Sequence, residues 1–119
     1  FPWGWFMFEY VERQEGDFLV LDLKGVLDLF AAAEFRRFLD GRMKEPSKIA
    51  LKLREVSHID SSGMALLIAA QRAFKGRPDT RFLLVSVSPE IRNLFRIMFI
   101  EKLFMFVDQL PAGLSINES

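Results

Sequence analysis

The stretch VSHIDSSGMALL, residues 56–67, contains the change of pattern that decides the fold. Its first four residues continue an alternating, strand-like segment, and Met64 and Leu67 then recur at the spacing of a helix. Asp60 and the two serines after it are typical helix caps, because their side-chain oxygens accept hydrogen bonds from the first free N–H groups. The stretch therefore predicts a strand that runs through a short turn into a helix.

The turn at residues 60–63 supports a second interpretation beside capping. Gly63 lies in the first helical turn, where glycine costs about 1 kcal/mol relative to alanine but allows another surface to approach the backbone. Two adjacent hydroxyls also exceed what one cap requires. In parallel sheets, ligand and partner sites collect where a strand ends beside a helix N-terminus. The turn is therefore a candidate binding site as well as a cap.

Strand and helix patterns alternate along the rest of the chain. Alternating residues predict a hairpin of strands at 8–13 and 18–24, joined by the turn residues 14–17. The predicted elements after the hairpin are a helix that carries Phe35, Phe38, Leu39 and Met43 and stops before Pro46, a strand at 48–53 with a short extension at 56–59, a helix at 62–74, a strand at 82–87, a helix from Pro89 and a last strand at 103–108.

This order of elements predicts an α/β fold. Strand–helix–strand units imply parallel strands with right-handed crossovers, and the leading hairpin adds an antiparallel pair. We therefore expect a mixed β-sheet with helices packed over it. A chain of 119 residues suits one domain, which we place at residues 8–110. Residues 1–7 are expected to be an N-terminal extension or a tag remnant, with Met7 as a candidate natural start, and residues 111–119 a flexible tail.

Composition argues against several kinds of site. The chain has no cysteine and one histidine, His58, which leaves no disulfide framework and no thiolate or multi-histidine metal site. Its 16 basic and 16 acidic residues balance, whereas nucleic-acid binding normally needs a basic stripe. No apolar run approaches the roughly 18 residues that span a bilayer. We therefore expect no metal, no cofactor and no nucleic-acid partner.

Catalysis is not expected either. The sequence has no glycine-rich phosphate loop, metal-ligand cluster or cysteine nucleophile. A Ser–His–acid arrangement would need His58, which on an extended segment shares a face with Asp60 and is poorly placed for Ser61. His58 is more simply explained as a packed or partly exposed residue at the end of a strand.

The motif at residues 56–67 resembles the signature of STAS domains, and it is most similar to that of bacterial anti-sigma factor antagonists. Two further segments support the resemblance: LKGVLD at residues 23–28 after the second strand, and SPEI at residues 88–91 with Leu94 and Phe95 in the third helix. The order of elements agrees from about Phe8 to Asp108. Asp-Ser-Ser-Gly alone would be a weak signal. Its position between a strand and a helix, within this order of elements, makes it more specific.

The resemblance implies a phosphorylation-controlled protein-binding module that acts in transcription regulation in the bacterial cytoplasm. Ser61, directly after the aspartate, would be phosphorylated by a partner that is both serine kinase and anti-sigma factor. The unphosphorylated form would bind that partner and free a sigma factor, phosphorylation would release it, and a metal-dependent phosphatase would restore binding. The implied partner-binding residues are Asp28, Asp60, Ser61, Ser62, Gly63 and Met64.

Two other roles stay open within this resemblance. The chain could be an accessory subunit or cytoplasmic domain of a membrane transporter, which its aromatic start would suit, or a scaffold subunit of a stress-sensing assembly. The adjacent serines favour the antagonist, because transporter-linked relatives often lack a phosphorylatable serine there. Residues 98–100 depart from the family's small residue and glycine after the third helix. The aromatic C-terminal region is then either extra core or an exposed patch for a partner or a homodimer.

Overall fold

Five strands form one mixed sheet whose spatial order follows the sequence, β1-β2-β3-β4-β5, in the computed structural model, which describes residues 8–42 and 48–110. The strands are β1 (Phe8–Glu15), β2 (Phe18–Leu27), β3 (Lys48–Ile59), β4 (Arg81–Val85) and β5 (Met105–Val107). The β1–β2 pair is antiparallel and the pairs from β2 to β5 are parallel. This arrangement confirms the predicted α/β fold with its leading hairpin.

The helices follow the parallel strands one by one. Within the described residues they are α1 (Leu29–Arg42), α2 (Ser61–Phe74) and α3 (Pro89–Ile97), and a single 3-10 turn, Glu101–Leu103, precedes β5. Because the strands step across the sheet in one direction and such crossovers are right-handed, the helices collect on one face. The main core lies between that face and the helices, where the side chains of Leu21, Leu51 and Leu84 meet Phe35, Leu67 and Phe95.

The other face of the sheet carries a smaller apolar cluster. Phe18, Val20, Ala50, Leu83 and Val85 are buried there beside the partly buried Val107 and Leu110. Toward the carboxyl ends of β2 and β3 the same face turns polar, with Asp22, Lys24, Lys52 and Arg54 along the strands. The central strands are thus apolar on both faces only in their first halves, as parallel strands covered on both sides require.

Several predicted boundaries differ from the structure. The hairpin turn is only Gly16 and Asp17, because β1 continues through Glu15. β3 is one unbroken strand from Lys48 to Ile59, not a strand with a separate extension. β4 ends at Val85, since Ser86 adopts a positive φ, and Leu103 belongs to the 3-10 turn rather than to β5. The predictions for residues 1–7, for Met43 and Pro46, and for residues 111–119 lie outside the described residues.

β2 continues beyond the predicted end at Lys24. Gly25 has a φ of 102°, a region that favours glycine, and the pairing of β2 with β3 shifts register on either side of it. The irregularity carries β2 on to Leu27 without breaking its pairing with β3. As a result both strands end together, at Leu27 and Ile59.

Gly63 permits the closest packing in this part of the fold. A Cβ added to it would lie 2.4 Å from the Leu27 carbonyl oxygen, 2.8 Å from Ile59 Cγ2 and 2.9 Å from Leu27 Cγ. The first of these is backbone at the end of β2 and cannot move without displacing the start of α1. The surface that approaches Gly63 therefore belongs to the chain itself.

We expect Gly63→Ala to lower the free energy of unfolding by about 2 to 3 kcal/mol, because the new methyl overpacks a buried backbone contact. Urea unfolding followed by circular dichroism would measure the loss.

Gly41→Ala is the matched control, because Gly41 is also helical but has nothing within 4 Å of the added Cβ. That substitution should raise stability by about 0.5 to 1 kcal/mol through helix propensity. Equal effects at the two positions would show that the Leu27 contact is not what requires glycine at residue 63.

Candidate functional site

The candidate site lies where β2 and β3 end side by side. Leu27 of β2 is the register partner of Ile59 of β3, so the residues that follow them, Asp28 and Asp60, come next to each other at the same sheet edge. The Asp60 N–H donates to the Leu27 carbonyl at 3.2 Å, which continues the pairing one residue past the strand. The register of two parallel strands thus brings together two aspartates that are far apart in sequence.

Each of these aspartates caps a helix. Asp28 Oδ1 accepts a hydrogen bond from the Ala31 N–H at 3.0 Å at the start of α1. Asp60 Oδ1 accepts from the Gly63 N–H at 2.9 Å at the start of α2, and its backbone is extended, as a cap residue requires. The capping interpretation of Asp60 is confirmed. The positive ends of two helix dipoles consequently meet beside two carboxylates.

Ser61 is the first residue of α2 and its side chain is exposed, whereas Ser62 is partly buried. The N–H groups of both residues belong to the first turn and have no acceptor within the helix. The Ser61 hydroxyl makes no hydrogen bond within the described part of the chain. Of the two hydroxyls, that of Ser61 is therefore the more accessible to another protein.

Two residues of the predicted partner-binding set do not reach the surface. Gly63 is buried against Leu27 and Ile59, and Met64 is only 1% exposed in the main core. The prediction that they contact a partner is wrong, because both residues are buried. Their role is to hold α2 against the sheet. The apolar spacing of Met64 and Leu67 already indicated such a core position.

Two apolar residues beside the site were not singled out from the sequence. Leu29 and Phe30 follow Asp28 at the start of α1 and are 59% and 81% exposed. The buried stripe of α1 consists of Ala31, Ala32, Phe35 and Leu39, so Phe30 lies off it, on the side of the exposed Ala33 and Arg37. A helical projection of residues 29–42 would have indicated this. The site therefore combines two carboxylates and a free hydroxyl with the exposed apolar side chains of Leu29 and Phe30.

His58 is exposed near the end of β3, in agreement with a strand-end residue. In residues 8–42 and 48–110, no group of three or more His, Cys, Asp or Glu side chains is arranged to hold a metal ion. Across the same ranges, no helix has the length and hydropathy to cross a membrane.

Comparison with known proteins identifies relatives of this chain by sequence and by fold. A STAS-domain containing protein of Pseudomonas aeruginosa is 28% identical over 90 residues, which are 76% of this chain and 88% of the relative. The anti-sigma factor antagonist SpoIIAA superimposes in its unphosphorylated form with a TM-score of 0.73 at 19% identity, covering 93% of this chain and 98% of that one. Its phosphorylated form, from Bacillus, gives 0.66 at 20% identity over 92% and 98%.

An anti-sigma factor antagonist from Mycobacterium paratuberculosis superimposes with a TM-score of 0.77 at 18% identity, over 94% of this chain and 95% of that chain. At these identities the structural likeness shows a shared fold. The model of the STAS domain family matches residues 10–112, which takes in all five strands from Tyr10 onward and all three helices. The chain therefore belongs to the STAS domain family.

Proposed function

We propose that this chain is an anti-sigma factor antagonist, a protein-binding module switched by phosphorylation of Ser61. The observation that carries the proposal is the free, exposed hydroxyl of Ser61 at the first position of α2, directly after the capping residue Asp60 and at the sheet edge that also carries Asp28. The likeness to SpoIIAA, a protein known in both phosphorylated and unphosphorylated forms, supports it. In this role Ser61 receives a phosphoryl group from a partner kinase, and the chain itself performs no catalysis.

The position of Ser61 suits a phosphate that leaves the fold intact. Phosphorylation adds close to two negative charges at pH 7 and three acceptor oxygens. At the first helical residue these oxygens face the free N–H groups of the helix start, where the dipole favours negative charge. The Ser61 side chain is exposed, so the phosphate displaces no buried contact. We therefore expect phosphorylated protein to keep the native fold.

The same phosphate would change the surface that a partner contacts. Two like charges about 4 Å apart repel by about 1 kcal/mol in water and by more once solvent is excluded. Asp28 and Asp60 already make the site acidic, so a partner must accommodate the added dianion beside both of them. The exposed side chains of Leu29 and Phe30 stand next to Asp28 and offer the apolar contact that a partner would bury. A dianion at the rim of that contact costs desolvation, which favours release.

We expect the cognate serine kinase with ATP to add one phosphoryl group to the wild-type chain. Mass spectrometry with site mapping would locate it at Ser61. Ser61→Ala should remove the added mass, while Ser62→Ala, the matched control one residue along, should keep it. Phosphate on Ser62 in the wild type would contradict the assignment. A chain that the kinase never labels, and that binds it equally well with and without ATP, would favour the transporter-linked or scaffold roles.

Ser61→Asp should weaken binding to the partner that recognises the unphosphorylated chain by at least tenfold. The new carboxylate supplies part of the phosphate's charge next to Asp60. Titration calorimetry would measure the affinity and thermal melting the fold. We expect the melting temperature to change by no more than about 2 °C, because an acidic residue at a helix start is tolerated. Weakened binding together with a large loss of stability would mean that the variant acts by unfolding.

Phe30→Ala should reduce partner affinity by about 10- to 100-fold, as expected for truncation of an aromatic anchor at the centre of an interface. Its stability should change little, because the side chain is 81% exposed. Val11→Ala is the control, since Val11 is a similarly exposed apolar residue on β1, away from the site. Unchanged binding by the Phe30 variant would place the partner on another surface while leaving Ser61 testable by phosphorylation.

A further inference from the structure

The C-terminal end of α3 adopts a conformation that usually requires glycine. The Ile100 N–H donates to the Phe95 carbonyl and the Phe99 N–H to the Arg96 carbonyl, both at 3.0 Å, which is the bonding pattern of a Schellman motif. The residue that makes this turn has a left-handed backbone, and here it is Phe99, with a φ of 59°. A phenylalanine in this region is strained, because its Cβ crowds the following carbonyl.

Packing within the domain does not explain why a phenylalanine stands at this position. Ile100, the next residue, is partly buried against the main core, so it already makes the apolar contact that accompanies a Schellman motif. The Phe99 side chain is 93% exposed, the largest exposure among the large apolar side chains of residues 8–42 and 48–110. Glycine would make the same turn without the steric cost. A residue that strains the backbone and adds almost nothing to its own core is explained most directly by a contact outside the domain.

Phe99 projects from a short segment of exposed apolar residues. Ile97, Met98 and Leu103 are exposed as well, and the Leu103 N–H donates to the Ile100 carbonyl at 3.0 Å, which folds the segment back into one turn. We call Ile97, Met98, Phe99 and Leu103 the α3-end tip. A side chain as exposed as that of Phe99 stands on a convex surface without neighbouring walls. The α3-end tip is therefore a projection and not a groove.

The charges beside the α3-end tip are mainly positive. Between residues 91 and 107 the ionisable side chains are Arg92, Arg96, Lys102 and the single carboxylate of Glu101. The Arg92 and Arg96 guanidinium groups lie 2.8 Å and 3.4 Å from that carboxylate. The hydrogen bond from Arg92 and the positive charge of both arginines hold the pKa of Glu101 below its ordinary value. One carboxylate thus faces two arginines, and Lys102 adds a further positive charge.

The positive charge is also the part that solvent reaches. The Glu101 side chain is 26% exposed, whereas that of Arg96 is 60% exposed. Lys102 is exposed and forms no ion pair within the part of the chain that the structure describes. An apolar projection with cations beside it matches an anionic bilayer, in which negative headgroups lie above the acyl chains. A basic partner would be repelled from the same surface.

We propose that the α3-end tip binds the surface of an anionic phospholipid bilayer, with Phe99 inserted at the boundary between headgroups and acyl chains. Aromatic rings are favoured at that depth, and the long side chains of Arg96 and Lys102 extend to the layer of lipid phosphates. A protein partner would need a pocket shaped to cover the projecting ring, whereas lipid surrounds a projection of any shape. The convex shape together with the positive charge therefore favours lipid over an acidic protein.

This surface lies apart from the candidate site. Ser61 stands at the carboxyl ends of the parallel strands, whereas α3 returns the chain to the amino-terminal edge, where β5 begins. A chain bound to lipid through the α3-end tip would therefore leave Ser61 and Phe30 on the side away from the bilayer. The inference does not rest on the proposed function, and either can fail without the other.

Flotation of the full chain with lipid vesicles tests the proposal. With vesicles of phosphatidylcholine and phosphatidylglycerol in about equal amounts, we expect half of the wild type to bind at on the order of 1 mM lipid, since a few inserted side chains bind more weakly than an acyl chain. Vesicles of phosphatidylcholine alone should bind at least tenfold more weakly, and about 0.5 M salt should reduce binding to the anionic vesicles. Equal binding to both kinds of vesicle would overturn the proposal. A wild type that binds neither would overturn it too, and would leave an acidic protein as the occupant of the tip.

Two variants locate the contact. Phe99→Gly should bind the anionic vesicles at least tenfold more weakly, because the inserted ring is lost. Lys102→Glu should weaken binding by at least tenfold while keeping the strained turn, since it reverses an exposed charge beside the tip. Val11→Ala is the control and should bind as the wild type does, because Val11 is an exposed apolar residue on β1, outside the tip. Wild-type affinity in either tip variant would show that the bilayer contacts another part of the chain.

Thermal melting without lipid keeps loss of binding separate from loss of folding. Phe99→Gly should melt about 3 to 5 °C higher than the wild type, because the left-handed strain is relieved. Lys102→Glu should melt within about 2 °C of the wild type, because its side chain is exposed. Weak vesicle binding by two variants that stay folded would support the proposal. Weak binding confined to a variant that melts well below the wild type would overturn it.

Discussion

The approach of Gly63 to the Leu27 carbonyl is the contact on which the candidate site depends. It allows α2 to begin directly against the end of β2, so that the starts of α1 and α2 come together over two adjacent strand ends. The Asp60 N–H bond to the same carbonyl fixes the turn from the other side. Any side chain at residue 63 would force these two helix starts apart. The cost of glycine in a helix is thus offset by the geometry that it permits.

Given that geometry, the capping aspartates serve two purposes with the same atoms. As caps, Asp28 and Asp60 satisfy N–H groups that the helices leave unpaired, which stabilises both helix starts. As charges, they make the surroundings of Ser61 acidic while the helix dipole just beneath remains positive. A phosphate bound here is attracted by the backbone and repelled by the side chains. This opposition suits a switch that changes surface chemistry while the fold remains intact.

The sequence predicted the order of the elements, because alternation and helical spacing are strong along most of the chain. Boundaries were less accurate where tertiary pairing overrode local signals: β2 continues past Gly25 only because β3 lies beside it, and β4 stops where Ser86 turns. In the site, Asp60 and Ser61 were found from their residue types, whereas Gly63 and Met64 were assigned to a surface that they do not reach. Nothing local distinguishes a glycine that faces a partner from one that faces its own sheet.

The two exposed phenylalanines, Phe30 and Phe99, could be described only in part from the sequence, each for its own reason. Phe30 can be found by comparison with the buried stripe of α1, since amphipathic spacing defines both sides of a helix. Residues 98–100 stood out in the sequence, but the strain at Phe99 did not, because its left-handed turn is set by backbone bonds from Ile100 to Phe95 across the end of α3. The two residues stand at opposite ends of the sheet and differ in their electrostatic surroundings. Charge added at Ser61 would act on contacts near Phe30, whereas Phe99 is remote from it.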